Sequence, residues 1–224
     1  HYIALSSGQV YLVRENIERP FREEQYEGRV MPPPKPDTYG FEEWLYGMDK
    51  RAVEDTLLAA HASGGSPATT LRLPMVSSER DHFYRLYSYI LRLQDGGPIL
   101  APSTPNFRLR HIYAGDVVRA VTQIAEQGLA RGKAYNISQE ETSSLDEYLA
   151  VLGGLMGVQP AVVRVKRDLL EANGFLPDSS PFSERWMSEL DNTLSKAELG
   201  ISYTPLAVYL ESIVRFYRDN PPPP

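Results

Sequence analysis

Apolar residues along the chain follow two kinds of spacing, which predict strands that alternate with helices. Short apolar or β-branched runs predict strands at residues 2–5, 69–73, 107–113, 133–137 and 162–165. Apolar residues three and four positions apart predict helices at residues 41–63, 82–94, 116–127, 144–157, 195–199 and 205–219. This alternation predicts an α/β fold with a largely parallel sheet.

Signals at the ends of these elements support the pattern. Ser144, with a Glu three residues later, has the form of a capping box. Asp116 is a candidate cap for its helix, and Gly128 follows the end of the same helix. In contrast, residues 12–40 are polar and irregular, with a proline-rich stretch at residues 32–36. This tract predicts an extended loop without a packed core of its own.

Composition and charge exclude several classes of protein. The chain has 224 residues, is 42% hydrophobic and carries a net charge of −6. No apolar run approaches the ~18 residues that a membrane span needs, and the acidic balance argues against a nucleic-acid binder. Cysteine is absent, which excludes disulfides and thiolate chemistry and fits a cytoplasmic location. The four histidines have no ligand spacing, so we predict no metal site.

Tyr46 and Lys50 form a Y-x-x-x-K pattern on the strongest predicted helix. Their spacing of four places both side chains on one face, one turn apart. A phenol with a pKa near 10 exchanges protons poorly at neutral pH, but a nearby ammonium favours its ionised form. The pair is therefore a candidate for proton transfer to a hydroxyl or carbonyl group. A solvent-exposed helix face without catalytic function would have the same pattern.

Two serines, Ser6 and Ser7, follow the first predicted strand. Ligands of open parallel sheets bind at the carboxyl ends of the strands, so a hydroxyl here is placed to bond a substrate oxygen. The alternative is a serine pair that simply ends a strand in a turn. A set of arginines at positions 72, 80, 85, 92, 108 and 110 is a candidate lining for an anionic-ligand cleft, although Arg85 and Arg92 are better explained as a solvated helix face.

Taken in order, several motifs resemble the extended short-chain dehydrogenase/reductases, and among them the NAD-dependent epimerase/dehydratase family that acts on nucleotide sugars. The motifs are L-S-S-G-Q-V-Y, Y-G-M-D-K, L-R-L-P-M-V, R-H-I-Y-A-G-D-V-V-R-A-V and the tail L-D-N-T-L-S-K-A-E-L-G-I-S-Y-T-P. The resemblance runs from Tyr2 to about Tyr217.

The resemblance implies a catalytic trio. Ser7 matches the catalytic Ser/Thr, and Tyr46 matches the acid/base. Lys50 matches the residue that holds the nicotinamide ribose and favours the tyrosinate. The implied reaction is epimerase/dehydratase-like oxidoreduction at a hydroxyl or carbonyl group of a nucleotide sugar or a related small molecule.

The resemblance also implies binding residues. Ser6 and Pro74 join Tyr46 and Lys50 in binding the cofactor, which is NAD or NADP with NAD preferred. Arg110 matches an Arg that binds the substrate diphosphate, where a bidentate guanidinium suits phosphate. Asp116 matches a helix-capping Asp and is structural.

The implied architecture divides the chain at residue 73. Residues 1–73 are expected to be the remainder of a Rossmann-like dinucleotide-binding domain. Residues 74–224 are expected to hold a small substrate-binding α/β subdomain, returning Rossmann segments at about 107–138, and C-terminal helices. No Gly-rich G-x-x-G-x-x-G loop is present, so we expect the βα units that bear it to lie outside this sequence.

Partners and function have competing interpretations at this stage. We expect a small-molecule substrate, no nucleic acid, no membrane, and a homodimer formed through the helix of Tyr46 and Lys50. The family's N-V-Y-G-P segment is replaced by residues 75–79, which leaves the substrate class open. The alternative to an enzyme is a catalytically silent binding or regulatory protein of the same fold.

Overall fold

The computed structural model describes residues 2–129 and 132–222. Its strands are β1 (Tyr2–Ser7), β2 (Ala68–Leu73), β3 (Val76–Ser77), β4 (Ile99–Pro102), β5 (Ile112–Tyr113), β6 (Lys133–Asn136) and β7 (Val162–Val165). Its α-helices are α1 (Gln9–Leu12), α2 (Tyr39–Ala62), α3 (Arg85–Asp95), α4 (Ala114–Gln127), α5 (Leu145–Met156), α6 (Arg167–Ala172), α7 (Thr193–Leu199) and α8 (Leu206–Asp219). Short 3₁₀ helices occur at Glu23–Tyr26 and Pro181–Ser183.

The chain forms two compact units, each built from three segments. The first holds the described residues of His1–Val76, Arg110–Glu140 and Ser188–Tyr203. The second holds those of Ser77–Leu109, Glu141–Met187 and Thr204–Pro224. The assignment of cofactor and substrate binding to particular parts of the chain stays a prediction.

A parallel sheet with strand order β1-β2-β6 forms the centre of the first unit. All six residues of β2 are buried, as expected for a central strand covered on both faces. Because side chains alternate along a strand, Leu71 and Leu73 face a core with Ile112, Ile124 and other apolar residues of this unit. On the opposite face, the Arg72 side chain contacts Glu54 of α2.

The second unit pairs β4 with β7 in parallel and packs α3, α5 and α8 around buried aromatic and aliphatic residues. The capping box predicted at the start of α5 is confirmed. Ser144 accepts a hydrogen bond from the backbone N–H of Glu147 at 3.2 Å, and the Glu147 carboxylate accepts one from the backbone N–H of Ser144 at 2.6 Å.

The α/β fold class with a parallel Rossmann-like sheet is confirmed, but two predictions about local structure are wrong. Residues 107–111 are not a strand, because Leu109 pairs with Ser143 in an isolated bridge and the carbonyl of His111 accepts from Gln139. Asp116 does not cap α4. The helix starts at Ala114, directly after its cap residue Tyr113, and Asp116 is buried within the first turn, where it pairs with Arg119.

The loop at residues 12–40 is also less open than the sequence predicts. Phe21 and Tyr26 are buried in a small core with Val10 and Tyr11. The Tyr26 ring lies between two guanidinium groups, with Arg51 and Arg72 at 3.8 and 4.3 Å from its centroid. Cation–π contacts, which a polar sequence pattern does not reveal, therefore anchor this loop.

Within residues 2–129 and 132–222, no helix has the length and apolar character needed to cross a membrane. In the same part of the chain, no group of three or more His, Asp or Glu side chains is placed to hold a metal ion.

Candidate active site

The helix α2 presents Tyr46 and Lys50 beside the end of β1. The Lys50 Nζ lies 5.8 Å from the centroid of the Tyr46 ring and donates a hydrogen bond to the carbonyl of Leu5 at 3.3 Å. Thr38 caps the start of the helix, where its side-chain hydroxyl accepts from the N–H of Phe41. The Tyr46 side chain is exposed, so its hydroxyl is open to a ligand.

Ser7 is the last residue of β1, and the residues on either side of it, Leu5 and Gln9, both contact α2. Its Oγ accepts a hydrogen bond from the N–H of Gln9 at 3.2 Å. The Gln9 side chain in turn donates to the Glu43 carboxylate at 3.0 Å, three residues before Tyr46. Because Leu5 bonds Lys50 on the other side of Ser7, the structure brings all three predicted catalytic residues to one end of the sheet.

Pro74 and Arg110 lie at the same edge of the sheet. The N–H of Gly8 donates to the carbonyl of Leu73 at 2.7 Å, which sets Ser7 beside the start of the segment holding Pro74. The Nε of Arg110 donates to the carbonyl of Gln139 at 2.9 Å, just beyond β6. Ligand-binding edges of parallel sheets are built from such strand ends.

Ser6 has a different environment from Ser7, because neighbouring side chains on a strand point to opposite faces. The Ser6 hydroxyl is buried and donates to the carboxylate of Glu54. Glu54 also accepts from the Nη2 of Arg72 at 2.7 Å and from its Nε at 3.0 Å. Arg72 therefore belongs to a buried ion pair rather than to the lining of an anionic-ligand cleft.

Tyr11 also lies near these residues, but its side chain is fully buried. Its hydroxyl accepts from Arg72 at 2.7 Å and donates to the Oδ1 of Asn136 at 2.9 Å. Burial raises the pKa of Tyr11 well above its usual range, although Arg72 opposes the shift. Of these two phenols, only that of Tyr46 belongs to an exposed residue.

A family model matches residues 3–138, more than half of the chain: the NAD dependent epimerase/dehydratase family. The chain belongs to this family. The match covers β1, α2, β2 and β6, and with them every candidate catalytic residue. A search of curated protein sequences finds no match.

Solved structures share the fold of this family member. UDP-N-acetylglucosamine 4-epimerase from Bacillus cereus is 17% identical, with a TM-score of 0.69 over 96% of this chain and 66% of its own. The dTDP-glucose 4,6-dehydratase from Bacillus anthracis, in complex with NAD, is 14% identical, with a TM-score of 0.71 over 97% and 61%. RMD from Pseudomonas aeruginosa, complexed with NADPH, is 16% identical, with a TM-score of 0.66 over 97% and 66%. The chain spans about two thirds of the length of these structures or slightly less.

Glu54, which no sequence motif singled out, joins the helix of Tyr46 and Lys50 to a buried polar layer. Its signal was present, because Glu54 follows Lys50 by four residues and so continues the same side of the helix. An acidic residue on a helix is normally interpreted as part of the solvent-exposed face. Its partner Arg72 lies on another element, and no spacing along the chain connects the two.

We expect Gly47→Ala to destabilise the protein by about 1–3 kcal/mol, because the added methyl would overpack the contact between α1 and α2. A Cβ at Gly47 would lie 2.6 Å from Val13 Cγ1 and 2.9 Å from the carbonyl of Gln9. Urea denaturation measures the change in the free energy of unfolding.

Gly40→Ala on the same helix is the matched control for Gly47→Ala. A Cβ there would meet Pro34 and Thr38 only at 3.9 Å, an ordinary contact. Alanine also favours helix over glycine by up to ~1 kcal/mol, so this variant should be neutral or more stable. Equal losses in both variants would contradict the close approach at Gly47.

Proposed function

We propose that this chain carries the active-site part of an NAD(P)-dependent epimerase, dehydratase or reductase that acts on a nucleotide sugar. The proposal rests on the contact between the Lys50 side chain and β1. One hydrogen bond from Lys50 to Leu5 joins the Tyr46 helix to the strand that ends at Ser7. A solvated helix face with a chance Y-x-x-x-K pattern would not need that contact.

In this proposal Tyr46 exchanges a proton with a substrate hydroxyl or carbonyl oxygen. Its phenol is 47% exposed and thus open to substrate. The Lys50 ammonium lies on the same side of the helix, with its Nζ 5.8 Å from the centroid of the Tyr46 ring. The Ser7 hydroxyl accepts from Gln9 and keeps its own proton to donate to the same substrate oxygen.

The donor set around Lys50 fits a nicotinamide ribose. An ammonium has three N–H donors, and the bond to Leu5 uses one of them, which leaves two for ribose hydroxyls. Bound NAD or NADP supplies the hydride acceptor and donor. Pro74 is buried directly after the end of β2. Ser6 would contact the cofactor through its backbone, because its hydroxyl is bonded to Glu54.

Arg110 is the proposed ligand of the substrate diphosphate. Its Nε donates to the carbonyl of Gln139. Burial would raise the pKa of the nearby Asp191, but hydrogen bonds from Thr193 and, to a smaller extent, the charge of Arg110 keep that pKa low. The terminal N–H groups of a guanidinium suit bidentate contact with phosphate oxygens. Nucleotide sugars carry such a diphosphate.

A homodimer through α2 is part of the proposal. Leu45 and Val53 are 43% and 52% exposed and lie eight residues, or about two turns, apart on the helix. Exposed apolar side chains on one side of a long helix favour helix packing against a second copy.

Tyr46→Phe should lower kcat at least about 100-fold in the intact protein and leave the unfolding free energy nearly unchanged, since only the hydroxyl is lost. Turnover is followed by chromatography of the nucleotide sugars with a panel of UDP-glucose, UDP-N-acetylglucosamine and dTDP-glucose, because an epimerase or dehydratase returns the hydride to the sugar and leaves no net NADH. Tyr2→Phe, at an exposed tyrosine of β1, is the control. A kcat within about tenfold of wild type, ~1.4 kcal/mol in the barrier, would remove Tyr46 as the acid/base.

Arg110→Ala should raise the KM for the reactive nucleotide sugar about tenfold or more and leave the Kd for NAD within about twofold, because the guanidinium is proposed to bind the substrate diphosphate and not the cofactor. Steady-state kinetics and calorimetry measure the two constants. Arg108→Ala, whose guanidinium bonds the carbonyl of Thr142, is the control. An unchanged KM with weakened NAD binding would contradict the assignment of Arg110.

Leu45→Glu combined with Val53→Glu should convert the dimer to a monomer, since charges would enter the apolar contact. Light scattering after size-exclusion chromatography gives the mass. Val118→Glu, at an exposed position of α4, should leave the dimer intact. A wild-type monomer, or a dimer that survives the double substitution, refutes assembly through α2.

A further inference from the structure

A single carboxylate connects the Tyr46 helix to two strands of the sheet. Glu54 is fully buried, and Arg72 is 2% exposed. Taking such charges out of water is expensive, and a buried pair often adds little net stability. Stability alone therefore does not explain why the Glu54–Arg72 pair is buried here, and the other contacts of the two side chains suggest a different role.

The position of Glu54 on α2 links it to the candidate site. It lies one turn beyond Lys50 and two turns beyond Tyr46, about 6 and 12 Å along the helix axis. Gly47 and Arg51 complete the buried face of the same helix segment. A shift of Glu54 would thus be carried to both site residues by a rigid helix.

The strand contacts of Glu54 link it to Ser7. The hydroxyl of Ser6, the residue before Ser7, donates to the Glu54 carboxylate. Arg72 is the register partner of Ser6 in the parallel pair of β1 and β2. One carboxylate therefore fixes the helix of Tyr46 and Lys50 against the strand ends beside Ser7.

Arg72 is itself held from the side away from Glu54. Its Nη1 donates to the hydroxyl of Tyr11 at 2.7 Å and to the carbonyl of Glu23 at 3.3 Å. Its guanidinium also lies 4.3 Å from the centroid of the Tyr26 ring. A planar group bonded along two edges and covered by a ring has little freedom to move.

We propose that Glu54 and Arg72 are positioning residues, which set the Tyr46–Lys50 pair in register with Ser7. The catalytic consequence rests on the proposed function, whereas the geometric one does not. Misplacement of a catalytic group by about 1 Å can cost ~100-fold in rate. Positioning therefore affects the rate of the chemical step more than the binding of ligands.

Glu54→Asp is the informative substitution, because it keeps the charge but shortens the side chain by one methylene. Either α2 moves toward the sheet or the bonds to Ser6 and Arg72 weaken. Glu198→Asp is the matched control. In the same unit, Glu198 accepts from Lys133 at 2.7 Å and from the hydroxyl of Tyr135 at 2.6 Å.

The first measurement needs no activity. The chain is labelled with 3-fluorotyrosine, and the ¹⁹F resonance of Tyr46 is assigned by its loss in Tyr46→Phe. Positioning predicts that this resonance shifts in Glu54→Asp and stays in place in Glu198→Asp. An unmoved Tyr46 resonance in a folded Glu54→Asp variant overturns the proposal, whatever the activity. If Glu54→Asp does not fold, Ser6→Ala, which removes only the hydroxyl that joins Glu54 to β1, replaces it under the same criterion.

The second measurement uses turnover of the nucleotide sugar that reacts in the wild-type protein. Glu54→Asp and Arg72→Lys should each lower kcat about tenfold or more, while KM stays within about threefold. A rise in KM at constant kcat would overturn the assignment of a positioning role. If no sugar of the panel reacts in the wild type, the proposed function fails, and the resonance of Tyr46 still decides whether Glu54 positions it.

Discussion

The contact between Glu54 and Arg72 is the constraint on which the rest of this site depends. A carboxylate without exposure to water is tolerated only where donors surround it, and here the donors come from different elements: Ser6 of β1 and Arg72 of β2. The same requirement fixes how the Tyr46 helix can lie on the sheet. Gly47 then allows the close approach that this position demands.

The polar layer extends beyond the ion pair and joins the loop at residues 12–40 to the sheet. Tyr11 connects Arg72 to Asn136 at the end of β6. The carboxylate of Glu23 accepts from the N–H of Asn136 at 2.7 Å, and burial raises the pKa of this group. The loop thus contributes a few side chains to the interior of the first unit, and its proline-rich stretch precedes the start of α2.

The parts of the site that depend on local spacing were predictable from the sequence, and those that depend on distant pairing were not. Tyr46 and Lys50 share a helix, and Ser7 ends an apolar run, so periodicity alone placed them. Arg72 lies 18 residues from Glu54 on another element, and its apolar neighbours gave it no visible partner. Residues 107–111 look like a strand by composition, yet their backbone groups pair with Ser143 and Gln139 in isolated contacts. The cation–π contacts around Tyr26 also join distant residues, so they produce no periodic pattern in the sequence.

Ser6 and Ser7 illustrate how strictly the first strand is specified. They are chemically identical neighbours, but the alternation of a strand sends one into the buried layer and leaves the other at the ligand edge. A slip of one residue in the pairing of β1 with β2 would reverse every side chain of the strand. Ser7 would then occupy the place of Ser6 and keep a hydroxyl in the buried layer, while Gly8 would stand at the edge without one. A hydroxyl would thus remain available to Glu54 after such a shift, whereas the proposed site would lose its side-chain oxygen.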